Sequence, residues 1–157
     1  MLQLTKRAEY GLIALVHLSD REGEFVSARE ISDRYPVPRR LLAEVLKDLC
    51  RARLVDSLRG AAGGYALSRP AEAITLGEIV SALEGAPSLA ECEALGFYRE
   101  GSCDIESVCP IKSPIQRLRV GIWSLLQRTS LRDLSQGSLP VSSEAPNDPS
   151  PAVSTTA

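Results

Sequence analysis

Six residues, Arg59-Gly60-Ala61-Ala62-Gly63-Gly64, constrain this chain more than any others. Three glycines among six positions end any helix and permit a tight reversal. The flanking stretches, residues 54–58 and 65–68, read as two short strands. The expectation is a small glycine-tipped hairpin, and three helices precede it.

Residues 5–19 form the first helix, with Thr5 as cap and Ala8, Leu12, Leu15 and Val16 at helical spacing. Residues 20–24, with Gly23, connect it to a short helix over 28–34. Ser27 is its N-cap and Glu30 stands at the third helical position, the pattern of a capping box. Tyr35-Pro36-Val37-Pro38 stops that helix, because proline disfavours helix in the residue before it. A third helix runs from about Pro38 to Ala52. Leu42, Val45, Leu46 and Leu49 form its apolar face, and Arg40, Glu44, Lys47 and Arg51 its polar face. Helix, helix, helix, hairpin is the order of a winged helix-turn-helix.

Thr75, with Glu78, caps a fourth helix over 76–83. A long helix starts at Pro110 and reaches about Gln127. Ile111, Ile115, Leu118, Ile122, Leu125 and Leu126 read as one continuous stripe along it, suited to pairing with a second copy. Thr129 or Ser130 caps a last short helix over 131–134. Residues 136–157 hold four of the ten prolines and show no periodicity, which predicts a disordered tail. The fold class is mainly α with a small β-hairpin wing. The expected organisation is a reader over 1–85, a cysteine-bearing loop over 86–109, and a dimerisation helix with its terminal helix over 110–135.

Composition sharpens this. At 157 residues the chain fits one compact domain with accessories. Hydrophobic residues make up 44% and aromatics 4%, so aliphatic side chains must build the core. Residues 1–70 hold 12 Lys/Arg against 9 Asp/Glu, and residues 71–157 hold 6 against 11, so the basic excess falls in the reader. Met1–Arg7 runs straight into the amphipathic pattern, and no apolar run nears the roughly 18 residues of a membrane span. A cytoplasmic protein without membrane attachment is expected.

The second helix of a helix-turn-helix enters the major groove through residues near its N-terminus. Here that helix opens Pro38-Arg39-Arg40. Arginine can bond guanine bidentately, worth ~1–3 kcal/mol of discrimination. Arg40, Glu44 and Lys47 share a face that can reach bases or phosphates, and equally reads as a solvated face. Arg39 is rotated towards the DNA backbone. Arg59 and Gly60, at the hairpin tip, suit a narrow minor groove, or simply an ordinary glycine-rich turn.

Cys92, Cys103 and Cys109 cluster within 18 residues. A reducing cytosol argues against structural disulfides, leaving metal ligation or redox chemistry. Cys109 precedes the long helix, whose N-terminus favours an anionic ligand. Iron–sulfur clusters need thiolates, zinc accepts them too, and Cys103 with Cys109 could form a dithiol switch. Cys50, beside Leu46, reads as a small core-edge hydrophobe and His17 as a core side chain. A catalytic cysteine would need a base, yet the only histidine lies 75 residues before Cys92 on a core helix. An enzyme is therefore not expected. An interaction module without DNA is separable by salt-dependent duplex binding.

The motifs LTKRAEYGL, LVDSLRGAAGGYALSRP, ITLGEIVSALEG, the three cysteines and a terminal LRDL resemble the IscR/NsrR/RirA (Rrf-two) family of regulators, over about residues 2–135. The resemblance implies a homodimeric winged-helix transcription factor that binds duplex DNA at a palindromic operator through the third helix and wing. It also implies a [2Fe–2S] or [4Fe–4S] cluster controlling DNA affinity. The five-residue gap between Cys103 and Cys109 matches the family, while the ten-residue gap between Cys92 and Cys103 is longer than usual. Some members place a histidine three residues after the last cysteine, where this chain has Lys112. Others use an acidic residue from the partner's first helix, and the matching position is Glu9. The signal (iron, nitric oxide, oxidation or cluster supply) stays open, as does repression against activation.

Overall fold

The computed structural model describes residues 4–60, 63–85 and 108–139. Helix α1 spans Lys6–Ser19, α2 Ala28–Arg34 and α3 Arg39–Arg51. Strands β1 (Val55–Leu58) and β2 (Gly64–Leu67) pair antiparallel, Val55 opposite Leu67 and Leu58 opposite Gly64. A 3-10 turn, Ala71–Ala73, leads to α4 (Leu76–Glu84), and α5 (Lys112–Arg128) and α6 (Leu131–Gln136) complete the order.

Side-chain caps set most helix starts. Thr5 accepts from the Ala8 N–H, and Thr75 with Glu78 and Ser130 with Asp133 form reciprocal capping boxes. At α2 only half of the expected box is made. Ser27 accepts from the Glu30 N–H at 3.1 Å, while the Glu30 carboxylate lies 3.3 Å from Arg21. Pro38 is the cap of α3 rather than its first residue, and α5 begins two residues after Pro110.

The core sits between α1, α3 and α4. Leu42, Val45, Leu46 and Leu49 of α3 are all fully buried, as expected from their spacing. Burying one such side chain stabilises the fold by about 1.5–3 kcal/mol. On α1 the buried line is Ala8, Gly11, Ala14, Leu15 and Leu18, with Leu12 and Val16 half-buried beside it. Small residues face inward because α4 comes close. A Cβ on Gly11 would stand 2.4 Å from Leu83 Cδ1. His17 is buried, edge-on to Tyr35, in keeping with a core role.

Two bridges lock distant segments to this core. Val26, in the α1–α2 connection, exchanges hydrogen bonds with Tyr65 at 2.9 and 2.8 Å and so adds a third partner to the hairpin. Thr75 and Ser130 bridge likewise, with Leu76 N donating to Thr129 O and Leu131 N to Ile74 O, both at 2.8 Å. Leu131 is fully buried, and Arg132 reaches Glu72 at 2.7 Å and Glu22 at 3.2 Å. The segment after α5 is thereby tied back to the start of α4 and to the α1–α2 connection.

Candidate nucleic-acid interface and cysteine site

The polar face of α3 stands clear of the core. Arg40 is 95% exposed, and its Nε lies 3.5 Å from Glu44 one turn on. Lys47 continues the same exposed face. Arg39 takes a different path, donating through Nη2 to Asp33 Oδ1 at 2.8 Å and so joining α2 to α3. Asp48, lower on α3, pairs with Arg7 of α1 and with Arg51. The N-terminal half of α3 thus presents one guanidinium tied only to its own helix, while ion pairs on either flank hold that helix in place.

The hairpin follows α3 in the chain, and β1 packs against that helix. Arg59 and Gly60 are exposed, and Gly60 has φ +117, a conformation open to glycine at little cost. Gly63 and Gly64 are needed for another reason. A Cβ on Gly64 would stand 2.4 Å from Val26 O, and one on Gly63 2.3 Å from Leu58 O. The turn is glycine-rich so that its backbone can fold against itself and against the Val26 bridge.

Of the sequence-predicted ligands, Cys109 is half-buried just before α5, while Cys92 and Cys103 lie outside the described residues. Among the described residues no cluster of metal-ligating side chains forms. Cys50 sits apart at the end of α3, where burial pushes its thiol up and a hydrogen bond with Ser57 only partly offsets this. That environment disfavours the thiolate. Glu9 is half-buried, engages Lys6, and stands at the rim of an open apolar groove lined by Leu12, Ile13, Val16, Tyr35 and Leu134.

A family model described as an iron-dependent transcriptional regulator, Rrf2, matches residues 4–137. The chain belongs to the Rrf2 family. Members of Rrf2 are DNA-binding transcriptional regulators, typically dimers, and not enzymes. Three solved structures share the winged-helix fold. A putative transcriptional regulator from Listeria innocua is 30% identical, with a TM-score of 0.75 over 93% of each chain. CymR, the global cysteine regulator of B. subtilis, is 28% identical, with a TM-score of 0.68 over 87% of this chain and 98% of its own. IscR of T. potens is 27% identical, with a TM-score of 0.66 over 87% and 88%.

In this Rrf2 chain the apolar stripe of α5 is not one face but two. Ile115, Ile122, Leu125 and Leu126 are half-buried, on a helix that packs against α4. Ile111 and Leu118 are 59% and 54% exposed, and Val108, before the helix, is 77% exposed. No residue of α5 is fully buried. Sequence spacing groups all six together because steps of three and four wander slowly around a helix. Only the position of α4 shows where the stripe divides. No helix among the described residues is long and apolar enough to cross a membrane.

Sequence reasoning misses the groove beside Glu9. Spacing assigns Leu12 and Val16 to the core, yet the small residues Ala8, Gly11 and Ala14 take the closest contact and leave the larger pair at the groove. The signal lies in the spacing of the small residues.

Proposed function

We propose that this Rrf2 protein is a homodimeric, sequence-specific regulator of transcription whose DNA affinity is set by an iron–sulfur cluster on Cys92, Cys103 and Cys109. The observation that supports the DNA half is the exposure of both the Arg40–Glu44–Lys47 face and the Arg59–Gly60 tip. In this reading Arg40 and Lys47 meet bases or phosphates, Glu44 holds Arg40 in register, and Arg39 orders the helix pair while lying near the DNA backbone. Arg59 and Gly60 approach the minor groove. Residues 1–85 are the reader, 86–109 the cluster loop and 110–135 the dimerisation segment. A twofold dimer asks for a palindromic operator, its half-sites about one turn (~34 Å) or a multiple apart. The cytoplasm is the compartment for such a protein.

The donor chemistry supports the cluster half. Three cysteine thiolates within 18 residues suit iron–sulfur ligation, and the half-buried Cys109 sits three residues before α5, where a helix N-terminus favours anionic ligands. When bound, the cluster supplies a redox- and ligand-sensitive switch. Glu9 is the proposed fourth ligand, given across the dimer, and its place at the rim of an open groove leaves room for a partner segment. Anaerobic purification with visible absorption and iron and sulfide analysis tests this. DNA titration of loaded and empty protein follows. Indistinguishable DNA curves refute cluster control.

A second reading rests on the likeness to CymR, a cysteine regulator by its name. In it the same three cysteines hold zinc or cycle between dithiol and disulfide, and no iron–sulfur cluster is involved. Iron-free protein whose DNA affinity follows thiol oxidation would favour it.

A further inference from the structure

His17 is the only histidine of the chain and stands in the last turn of α1. Its side chain is 10% exposed, and its Nε2 has no hydrogen-bond partner among the described residues. A buried ring nitrogen left without a partner is costly and calls for a reason. Both ends of α2 meet this ring. Glu30, in the first turn of α2, sets its Oε1 3.7 Å from Nε2, too far for a hydrogen bond but within reach of an ion pair once the ring is charged. Tyr35, the C-cap of α2, meets the ring edge-on at 5.6 Å and carries the Arg34 guanidinium over its face.

The Glu30 oxygen nearest His17 is also the one that Arg21 approaches, at 3.3 Å. Arg21 has a second carboxylate in Glu24, at 3.7 Å, so it can release Glu30 without losing every partner. The carboxylates of the other elements packed on α1 are engaged elsewhere. Glu44 and Asp48 of α3 pair with Arg40 and Arg7, Glu78 of α4 pairs with Arg69, and Asp133 caps α6. Glu84 of α4 accepts from the Thr5 N–H. Among the cations, those of α3 are exposed and Arg132 of α6 is held by Glu72 and Glu22. Strand β2 carries no charged side chain. Glu30 is thus the acid placed for His17.

We propose that His17 is a proton-operated tie between α1 and α2, the first helix of the helix-turn-helix, and that the charged ring favours the DNA-binding arrangement. The tie does not depend on the cluster. Histidine changes charge within about pH 5–8. A neutral imidazole carries one N–H, whereas the charged ring donates from both nitrogens. A proton taken from solvent lets Nε2 donate to Glu30, closing the 3.7 Å gap towards the about 2.7–2.9 Å of a charge-assisted bond. The C-terminal end of α1 favours the same charge. The bond draws Glu30 from Arg21 towards α1 and fixes α2. Arg39, bonded to Asp33 at 2.8 Å, passes that position to α3. DNA is then held more tightly in mildly acid solution and less tightly as the ring loses its proton.

The test uses the full chain and a duplex selected from a random pool, with binding isotherms across about pH 5–8. Wild-type affinity is expected to fall several-fold as pH rises through this range, beyond the change seen with random duplex. His17→Gln and Glu30→Gln are each expected to lose that extra fall, and Arg21→Gln to keep it. NMR supplies a readout free of DNA. The single imidazole signal is expected to titrate, and the Glu30 amide to follow it in the wild type but not in His17→Gln. Equal pH dependence in all four proteins, a Glu30 amide that ignores the ring, or a ring that keeps one charge state throughout overturns the proposal.

Discussion

Arg39 Nη2 donates to Asp33 Oδ1 at 2.8 Å, joining the last turn of α2 to the first residue of α3. Its neighbour Arg40 makes no such tie to α2 and is 95% exposed. Two adjacent arginines therefore divide their work. The Arg39–Asp33 pair is itself well exposed, so it contributes at most about 1 kcal/mol to the helix pair. Arg40→Ala is expected to lose ~1–3 kcal/mol of discrimination between operator and random duplex. Arg39→Ala is expected to lower stability by no more than about 1 kcal/mol and to leave sequence preference unchanged. Binding isotherms on both DNAs, with thermal melts, check the division.

The hairpin gives a sharper stability test. Gly64→Ala places a Cβ against the Val26 carbonyl oxygen, which is backbone and cannot swing away. The Val26–Tyr65 bridge must open or the strand must shift. A loss of about 1–3 kcal/mol is expected, in the range of other overpacked sites. Chemical denaturation measures it, and DNA affinity should fall with it because the wing loses its anchor.

These contacts also show how far the sequence could be read. The order of elements was legible because local chemistry fixes it. Thr5, Ser27 and Thr75 start helices by side-chain bonding, Pro36 stops one, and the glycine run makes the reversal. What was not legible depends on distant partners. Glu30 could be read as half of a capping box, but Arg21 draws its carboxylate away. The bridge from Val26 to Tyr65 joins residues 39 positions apart and leaves no local pattern. The inward face of α1 is set by the approach of Leu83 to Gly11, so the larger Leu12 and Val16 end beside it. At the candidate site, residue types were readable, and the division of the α5 stripe was not.

That division separates two substitutions that spacing alone treats as equivalent. Leu118→Glu puts a charge on the exposed side of α5 and is expected to give soluble monomers with intact helical content. Ile122→Glu puts one on the half-buried side, where an unpaired charge is costly to bury. It is expected to lower the melting temperature of the protomer. Sizing and thermal melts of the two variants together check the assignment, and a wild-type dimer is the reference.

Acid stability depends on the start of α4. Burial tends to raise the Glu78 pKa, but hydrogen bonds from the Thr75 N–H and Arg69 outweigh it and hold the carboxyl below its ordinary value of 4.5. A carboxylate lowered in the folded state binds protons more readily when unfolded, so its stabilisation is present above the ordinary value. It is lost as pH falls through the lowered folded value. The Glu78–Arg69 pair is more than a third exposed, so solvent screens it and the effect is modest. Glu78→Gln is expected to be less stable than wild type at neutral pH and to converge with it in strong acid. Denaturation midpoints across about pH 2–7, a window spanning the carboxylate range, measure the convergence.

Substituting the cysteines tests the proposed cluster apart from the fold. Cys109 is a small side chain, only half-buried next to α5, so its loss removes little packing. Cys92→Ala, Cys103→Ala and Cys109→Ala are each expected to abolish cluster absorption and iron binding while helical content stays constant. Cys50→Ala is expected to keep the cluster, because burial in its place on α3 pushes its thiol up and disfavours the thiolate. Binding free energies are reciprocal, so a cluster that changes DNA affinity must itself be held more or less tightly on DNA. At equilibrium with a competing chelator, the fraction of wild-type protein that keeps its cluster should therefore differ with and without operator. Full iron loading in all three loop variants would remove these ligands from consideration. Equal cluster retention on and off DNA would leave the cluster without a regulatory role.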